Sequence, residues 1–243
     1  MIELEKLTKI TGKKKRLNEV TLTIHKGELF GLLGANGAGK STLLSILSLI
    51  HKPSSGEVKI NGMDISSNAK EVRKMIGYVP QDLALWEDLS VGENMRFWSN
   101  FIKKPINQEV LMELCEAVQL RDKWDEQVAN LSGGMKRKLN MAVALIHNPD
   151  ILLMDEPTVG IDLQSKLEIN QYVKKLAAAG KTIVYITHDL SEILSLCDRI
   201  GVLNDGILKF QGTLEMAMEH ANKQGKRFES RDQLVYYLLN DEY

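Results

Sequence analysis

The chain has 243 residues, 44% of them hydrophobic and 26% charged, with a formal net charge of -1, which is enough apolar material for a substantial core. So neutral a balance gives no electrostatic drive toward nucleic acid or anionic lipid, and the run Lys13-Lys14-Lys15-Arg16 reads as a solvated turn. The apolar stretch Thr42 to Ile50 is broken by serines and falls short of the roughly 20 residues that span a bilayer, and MIELEKLTKI alternates apolar with charged residues, so neither a membrane helix nor a secretory leader is expected.

The chain opens with antiparallel β structure. Ile2 and Leu4, then Val20, Leu22 and Ile24, alternate with polar residues, and Asn61-Gly62 after Glu57-Val-Lys-Ile carries a tight-turn signal. Leu29 to Leu33, Ile151 to Met154 and Ile183 to Ile186 are continuous apolar runs, the pattern of parallel strands covered on both faces, and they predict a separate central sheet. The stretch from about Glu93 to Ile146 is helical in pattern and is expected to form an inserted helical subdomain, with Asn107 capping the helix that carries Val110, Leu111 and Leu114. Leu163, Leu167, Tyr172 and Leu176 recur at helical spacing up to Gly180, so residues 151–187 read as a strand-helix-strand crossover. Arg199 to Leu203 and Ile207 to Phe210 flank Asn204-Asp205-Gly206 as a hairpin, and two short helices finish near Asn240. Cys115 and Cys197 are too few and too far apart for a metal knuckle or a disulfide framework and read as core thiols of a reducing cytoplasm. No repeat or long linker is visible, so a single domain over 1–243 of α/β class is expected.

Two segments bind anions. Gly34-Ala-Asn36-Gly37-Ala38-Gly39-Lys40-Ser41 follows an apolar strand and opens a helical run beginning at Thr42, the context of a phosphate-binding P-loop. Its glycines let the backbone wrap phosphate, Lys40 reaches the β and γ oxygens, and Ser41 offers a hydroxyl to Mg²⁺. The second is Leu131-Ser132-Gly133-Gly134-Met135, where two glycines after a serine leave N–H groups free at the positive end of a helix. It lies apart from the P-loop in the chain and predicts a nucleotide shared with another copy. Asp155 and Glu156 end one parallel strand, Gln81 follows the apolar segment Ile76 to Val79, and His188 follows Ile183 to Thr187. Those positions send phosphate-binding, metal-binding and proton-handling groups to one carboxyl edge of the sheet.

In these motifs the chain resembles the nucleotide-binding subunits of ATP-binding cassette (ABC) transporters over nearly its whole length. GANGAGKS is similar to the Walker A motif, Gln81 to the Q-loop, LSGGM to the signature, ILLMDE to Walker B, Val159-Gly160-Ile161-Asp162 to the D-loop and His188 to the switch histidine. The resemblance implies a P-loop ATPase fold and a head-to-tail pair in which each ATP lies between one chain's P-loop and the other's signature helix. It further implies Ser41 and Gln81 on Mg²⁺, Asp155 supporting that ion through water, Glu156 polarising the attacking water and His188 on the γ-phosphate. Ser132 and Gly134 would clamp the partner's γ-phosphate. The candidate set is therefore Glu156, His188 and Gln81 for catalysis, and Gly34, Asn36, Gly37, Ala38, Gly39, Lys40, Ser41, Thr42, Ser132, Gly133, Gly134 and Asp155 for the nucleotide.

Two positions depart from the family pattern. Met135 stands where glutamine is commonest, and Thr11 aligns where an aromatic usually stacks on adenine; losing that stack removes roughly 1 kcal/mol of base affinity. The leading expectation is an ATPase subunit on the cytoplasmic face of the cell membrane that powers a separate permease. The segment from Asp82 to Asn94, with LSGGMKRKL, looks like the branch serving drug, polysaccharide and peptide exporters, with Trp86 either receiving a permease helix or packing into the helical subdomain. The alternative is a soluble ABC-type ATPase that remodels a protein complex. DNA-mechanical relatives insert a long coiled coil between P-loop and signature, and no sustained heptads intervene here.

Overall fold

The computed structural model of the chain describes residues 1–223 and 225–239, so the predicted helix end at Asn240 lies outside the described residues. Among the described residues the strands form two sheets. The first is antiparallel: β1 (Ile2–Thr11), β2 (Lys14–Ile24), β4 (Ser55–Ile60) and β5 (Met63–Asp64) in the order β2-β1-β4-β5. Alternation buries Leu4, Leu22 and Val58 on one face. Asn61 and Gly62, both with positive φ, make the two-residue turn that pairs Ile60 with Met63.

The second sheet joins β3 (Leu29–Leu33), β6 (Ile76–Val79), β7 (Ile151–Asp155), β8 (Thr182–Ile186), β9 (Arg199–Asn204) and β10 (Ile207–Gly212) in the order β10-β9-β3-β8-β7-β6. Its strands are parallel except β10, which returns from β9 through Asp205-Gly206. The unbroken apolar runs follow from cover on both faces. Ile151, Leu153, Val184 and Ile186 point into a core shared with the antiparallel sheet and α1 (Lys40–Leu47), while Leu152, Met154, Ile183 and Tyr185 point into a second core.

That second core is closed by α5 (Gly133–Leu145) and α6 (Leu163–Ala178). The expected strand-helix-strand crossover is present, with a buried face the spacing alone did not choose. The buried stripe of α6 is Ile169, Val173 and Leu176, spaced i, i+4, i+7, whereas Leu163 and Leu167 stand 71% and 49% exposed. All fit a helical period, but the first pair lies on a different face. A third cluster packs α3 (Val91–Ser99) and α4 (Gln108–Ala117) against α5 around Met95, Leu111, Cys115 and Leu139. Ser90 and Glu93 form a capping box on α3, and Asn107 caps α4 by accepting from Glu109 N–H at 3.2 Å. The remaining α-helices among the described residues are α2 (Ala69–Met75), α7 (Leu190–Leu196), α8 (Leu214–Lys223) and α9 (Arg231–Leu239), the last three packing around Leu33, Ile193 and Val202.

Candidate nucleotide site

β3 delivers the glycine loop to α1. A Cβ on Gly34 would lie 2.1 Å from the Leu203 carbonyl oxygen and one on Gly39 2.6 Å from that of Arg16, so these two glycines let the loop wedge between the β9–β10 turn and the β1–β2 hairpin. Gly37, at φ 84, has nothing within 4 Å of that position and faces open space, with exposed Asn36 beside it. The buried Lys40 ammonium donates to the carbonyls of Gly34 at 2.6 Å and Ala35 at 3.0 Å, wrapping the loop around a cation. Ala38 N–H closes the loop's own turn onto Ala35 at 3.1 Å. No side chain caps α1, which leaves the amide groups of its first turn, at Lys40, Ser41 and Thr42, as a candidate anion site. Thr11 is exposed at the end of β1 on the same hairpin as Arg16.

The sheet order puts the carboxyl ends of β3, β8, β7 and β6 side by side, so the P-loop, His188, Asp155-Glu156 and Gln81 share one edge. Glu156 joins three of those strand ends. Its Oε1 lies 3.0 Å from His188 Nε2, its Oε2 accepts from Gln81 Nε2 at 3.3 Å, and its N–H donates to Ile186 at 3.0 Å. Glu156 adopts φ 48, a left-handed conformation costing on the order of 1 kcal/mol for a side-chain-bearing residue and concentrated at functional sites. Asp155 is buried, and burial raises its carboxyl pKa against the opposing hydrogen bond of Ser41. That bond sets the helix hydroxyl and the strand-end carboxylate against each other.

The signature segment starts α5. Ser132 accepts from Met135 N–H at 3.2 Å, leaving the N–H groups of Gly133 and Gly134 without a side-chain cap. Gly134 is buried against the start of α6: a Cβ there would meet Ser165 Oγ at 2.0 Å. Gly133 is exposed, with only Ile161 near. The two candidate anion-binding helix starts thus rest on different supports, the glycine loop on the hairpin and β9–β10 turn, the start of α5 on residues 161–165. From the same helix Arg137 donates to the Gln81 carbonyl, Lys136 pairs with Glu87 at 2.6 Å, and Lys138 pairs with Glu168 of α6.

Several contacts here are absent from the motif reading. Arg137 gives no signal in a basic helix face. Glu192 follows Asp189 at the spacing of a capping acid, which normally faces water; instead it is fully buried between the loops after β7 and β8. Of the cysteines, burial pushes the Cys115 thiol up to about 12, and burial likewise raises that of Cys197, whose sulfur packs over Gly31. Cys115 is a core thiol, and Cys197 is half-buried at the edge of the second core.

The ABC transporter family profile matches residues 17–159. The chain is 39% identical over 215 residues to the linearmycin resistance ATP-binding protein LnrL of Bacillus subtilis, covering 88% of this chain and 69% of that one. It is 39% identical over 208 residues to the Nod factor export ATP-binding protein I of Cupriavidus pinatubonensis, covering 85% and 64%. The chain spans about two thirds of the length of these curated relatives. Among solved structures it matches a dimeric ATP-binding cassette in a post-hydrolysis state bound to ADP and Pi, with TM-score 0.79 and 30% identity over 88% of this chain and 98% of that one. An ATP-binding subunit of an ABC transporter matches with TM-score 0.84 and 26% identity over 98% and 99%. With a P-loop, a strand-end carboxylate pair and a signature helix in this arrangement, the chain belongs to the ABC transporter family and is one of its ATP-hydrolysing cassettes.

Proposed function

We propose that the chain is the ATPase subunit of an exporter, working as a head-to-tail pair with a second copy or a homologous ATPase subunit and docked on a separate membrane permease at the cytoplasmic face. In this reading residues 1–243 form one nucleotide-binding domain with the helical insertion at about 93–146, and the candidate residues take the roles that their resemblance implies. The names of the relatives, a Nod factor export and a resistance protein, favour export. Among the described residues no helix is long and apolar enough to cross a membrane, which fits a permease on another chain.

The observation that carries the reading is the aromatic cluster at the entry to the helical insertion. Trp86 and Phe101 stand 55% and 71% exposed, edge-on to Phe97 at 5.7 and 5.4 Å. So much exposed aromatic surface marks an interaction site. The loop beneath it is held firmly: Asn94 accepts from Trp86 N–H at 2.8 Å, Trp98 Nε1 donates to Ala84 at 3.0 Å, and the same loop begins at Gln81. A permease helix pressing there would act on the loop that touches Glu156. The exposed Leu163, Leu167 and Val159, beside the signature helix start, supply the apolar edge that a second copy would cover.

ATP would lie with its phosphates on the first turn of α1 and Lys40. Ser41, Gln81 and Asp155 present only oxygen donors, which suits Mg²⁺, an ion that takes few protein ligands and completes its shell with phosphate and water. Gln81 donates to Glu156 through nitrogen, so its oxygen remains for the metal. Bound there, Mg²⁺ would neutralise charge on the β and γ phosphates. Glu156 would orient water, and His188, 3.0 Å from its carboxylate, would contact the γ-phosphate.

Recovery of the tagged chain from membranes of its own cells tests the subunit role. A multi-span membrane protein should co-purify and should be lost on Trp86→Ala with Phe101→Ala, with basal ATPase retained. Recovery solely with soluble partners overturns the proposal in favour of a soluble remodelling ATPase.

A further inference from the structure

Glu192 is fully buried in α7 and belongs to none of the motifs above. A polar side chain buried there without hydrogen-bond partners is costly. Here each oxygen has at least one. Oε1 accepts from Thr158 Oγ1 at 2.7 Å and from Asn170 Nδ2 at 3.2 Å, with Lys166 Nζ at 3.9 Å; Oε2 accepts from Thr187 Oγ1 at 2.5 Å. Thr158 lies on the loop that begins with Glu156, and Thr187 immediately precedes His188.

We propose that Glu192 is a positioning residue for ATP hydrolysis, one carboxylate whose two oxygens tie the loop of Glu156 to the loop of His188. This rests on the catalytic reading of those two residues. The His188 side chain is 40% exposed, so packing does not fix its place and its backbone must. That backbone is anchored on both sides: Thr187 Oγ1 accepts from Asp189 N–H at 3.0 Å, and Asp189 pairs with Lys166 while capping α7. Hydrogen bonds from Lys166 and Ser191 outweigh burial and hold the Asp189 carboxyl below its ordinary pKa, so this anchor is charged at neutral pH. A hydrophobic residue at 192 would fill the volume but leave the Thr158 and Thr187 hydroxyls without their shared acceptor, and the two loops would be free to part.

Glu192→Gln is the discriminating change. Its amide nitrogen must face either Thr187, whose hydroxyl must then reverse from donor to acceptor while already accepting from Asp189 N–H, or the Thr158 and Asn170 side, where the Asn170 N–H loses its acceptor, so one tie weakens whichever way it turns. In the full chain with Mg-ATP, kcat per folded molecule should fall by roughly 10- to 100-fold, the scale of a misplaced catalytic group. ATP affinity, measured without turnover, should stay within about twofold, because no P-loop contact changes. Thr158→Val should lower kcat in the same sense and Thr158→Ser, which keeps the hydroxyl, should restore it. In a His188→Ala background Glu192→Gln should cost little more, since the group being positioned is gone. Unchanged kcat in Glu192→Gln, or a loss that multiplies in full with that of His188→Ala, overturns the positioning role. If His188→Ala itself leaves kcat unaltered, the catalytic reading falls, and this inference with it.

Discussion

His188 Nε2 lies 3.0 Å from Glu156 Oε1, and the same carboxylate takes the Gln81 amide on its other oxygen at 3.3 Å. Three strand ends therefore meet on one acid. Glu156→Gln keeps the volume and removes the charge that, in the proposed mechanism, orients water. We expect hydrolysis to drop at least about 100-fold while ATP binding persists and the ATP-bound pair accumulates, read by single-turnover kinetics and by size-exclusion chromatography with Mg-ATP. Undiminished turnover would remove Glu156 from its role.

The two anion-binding helix starts have separate supports, which makes a composite site testable by mixing. Lys40→Ala disables the P-loop, and Ser132→Arg blocks the signature; each alone leaves a pair with no intact site. A mixed pair regains one site, built from the P-loop of the Ser132→Arg chain and the signature of the Lys40→Ala chain. ATPase activity should rise when the inactive chains are combined, and no recovery is expected if each chain completes its own site.

Burial raises the Asp155 carboxyl pKa, so the folded chain binds that proton more tightly than the unfolded one. The group's contribution to stability is thus present below its ordinary pKa near 4 and is lost as pH rises through the raised value. At neutral pH the ionised side chain therefore costs the fold stability. Asp155→Asn should melt higher than the parent without nucleotide at about pH 7.5, the margin narrowing toward about pH 4, while Mg-dependent hydrolysis is abolished. Thermal melts across that range check the sign.

Gly134 meets Ser165 so closely that a single methyl has no room. Gly134→Ala should destabilise by about 1–3 kcal/mol through overpacking and shift the signature helix off α6. Ser165→Gly in the same chain should recover much of both stability and ATPase activity. Denaturant melts together with turnover would expose a purely local effect, in which stability returns and activity does not.

Thr11 ends β1 exposed beside the P-loop hairpin. Thr11→Tyr should tighten ATP by about fivefold, near 1 kcal/mol of ring stacking, and widen the preference for ATP over GTP, measured by competition binding. Equal affinity in both proteins would place the base elsewhere.

Much of this architecture is legible along the chain. The P-loop, the ends of β6, β7 and β8, and the turns at Asn61-Gly62 and Asp205-Gly206 are local patterns, because a glycine conformation or a strand end is specified by adjacent residues. The face of α6 was not legible: Leu163 and Leu167 satisfy a helical period as well as Ile169 and Val173 do, and only the position of the central sheet chooses between them. Gly134 reads as a phosphate contact from its motif, yet its packing need comes from Ser165, distant in the chain.

By itself, the amino-acid sequence determined which chemical groups are present and at which strand and helix ends they emerge, because backbone periodicity and turn chemistry act over a few residues. Only the tertiary structure decided which of those groups touch. Strand order brings Gln81, Glu156 and His188 together, and the burial of Glu192 couples Thr158 to Thr187. The reason is physical: a buried carboxylate must find its donors in space, and donors on neighbouring parallel strands are separated in the chain by the helices that cross between them.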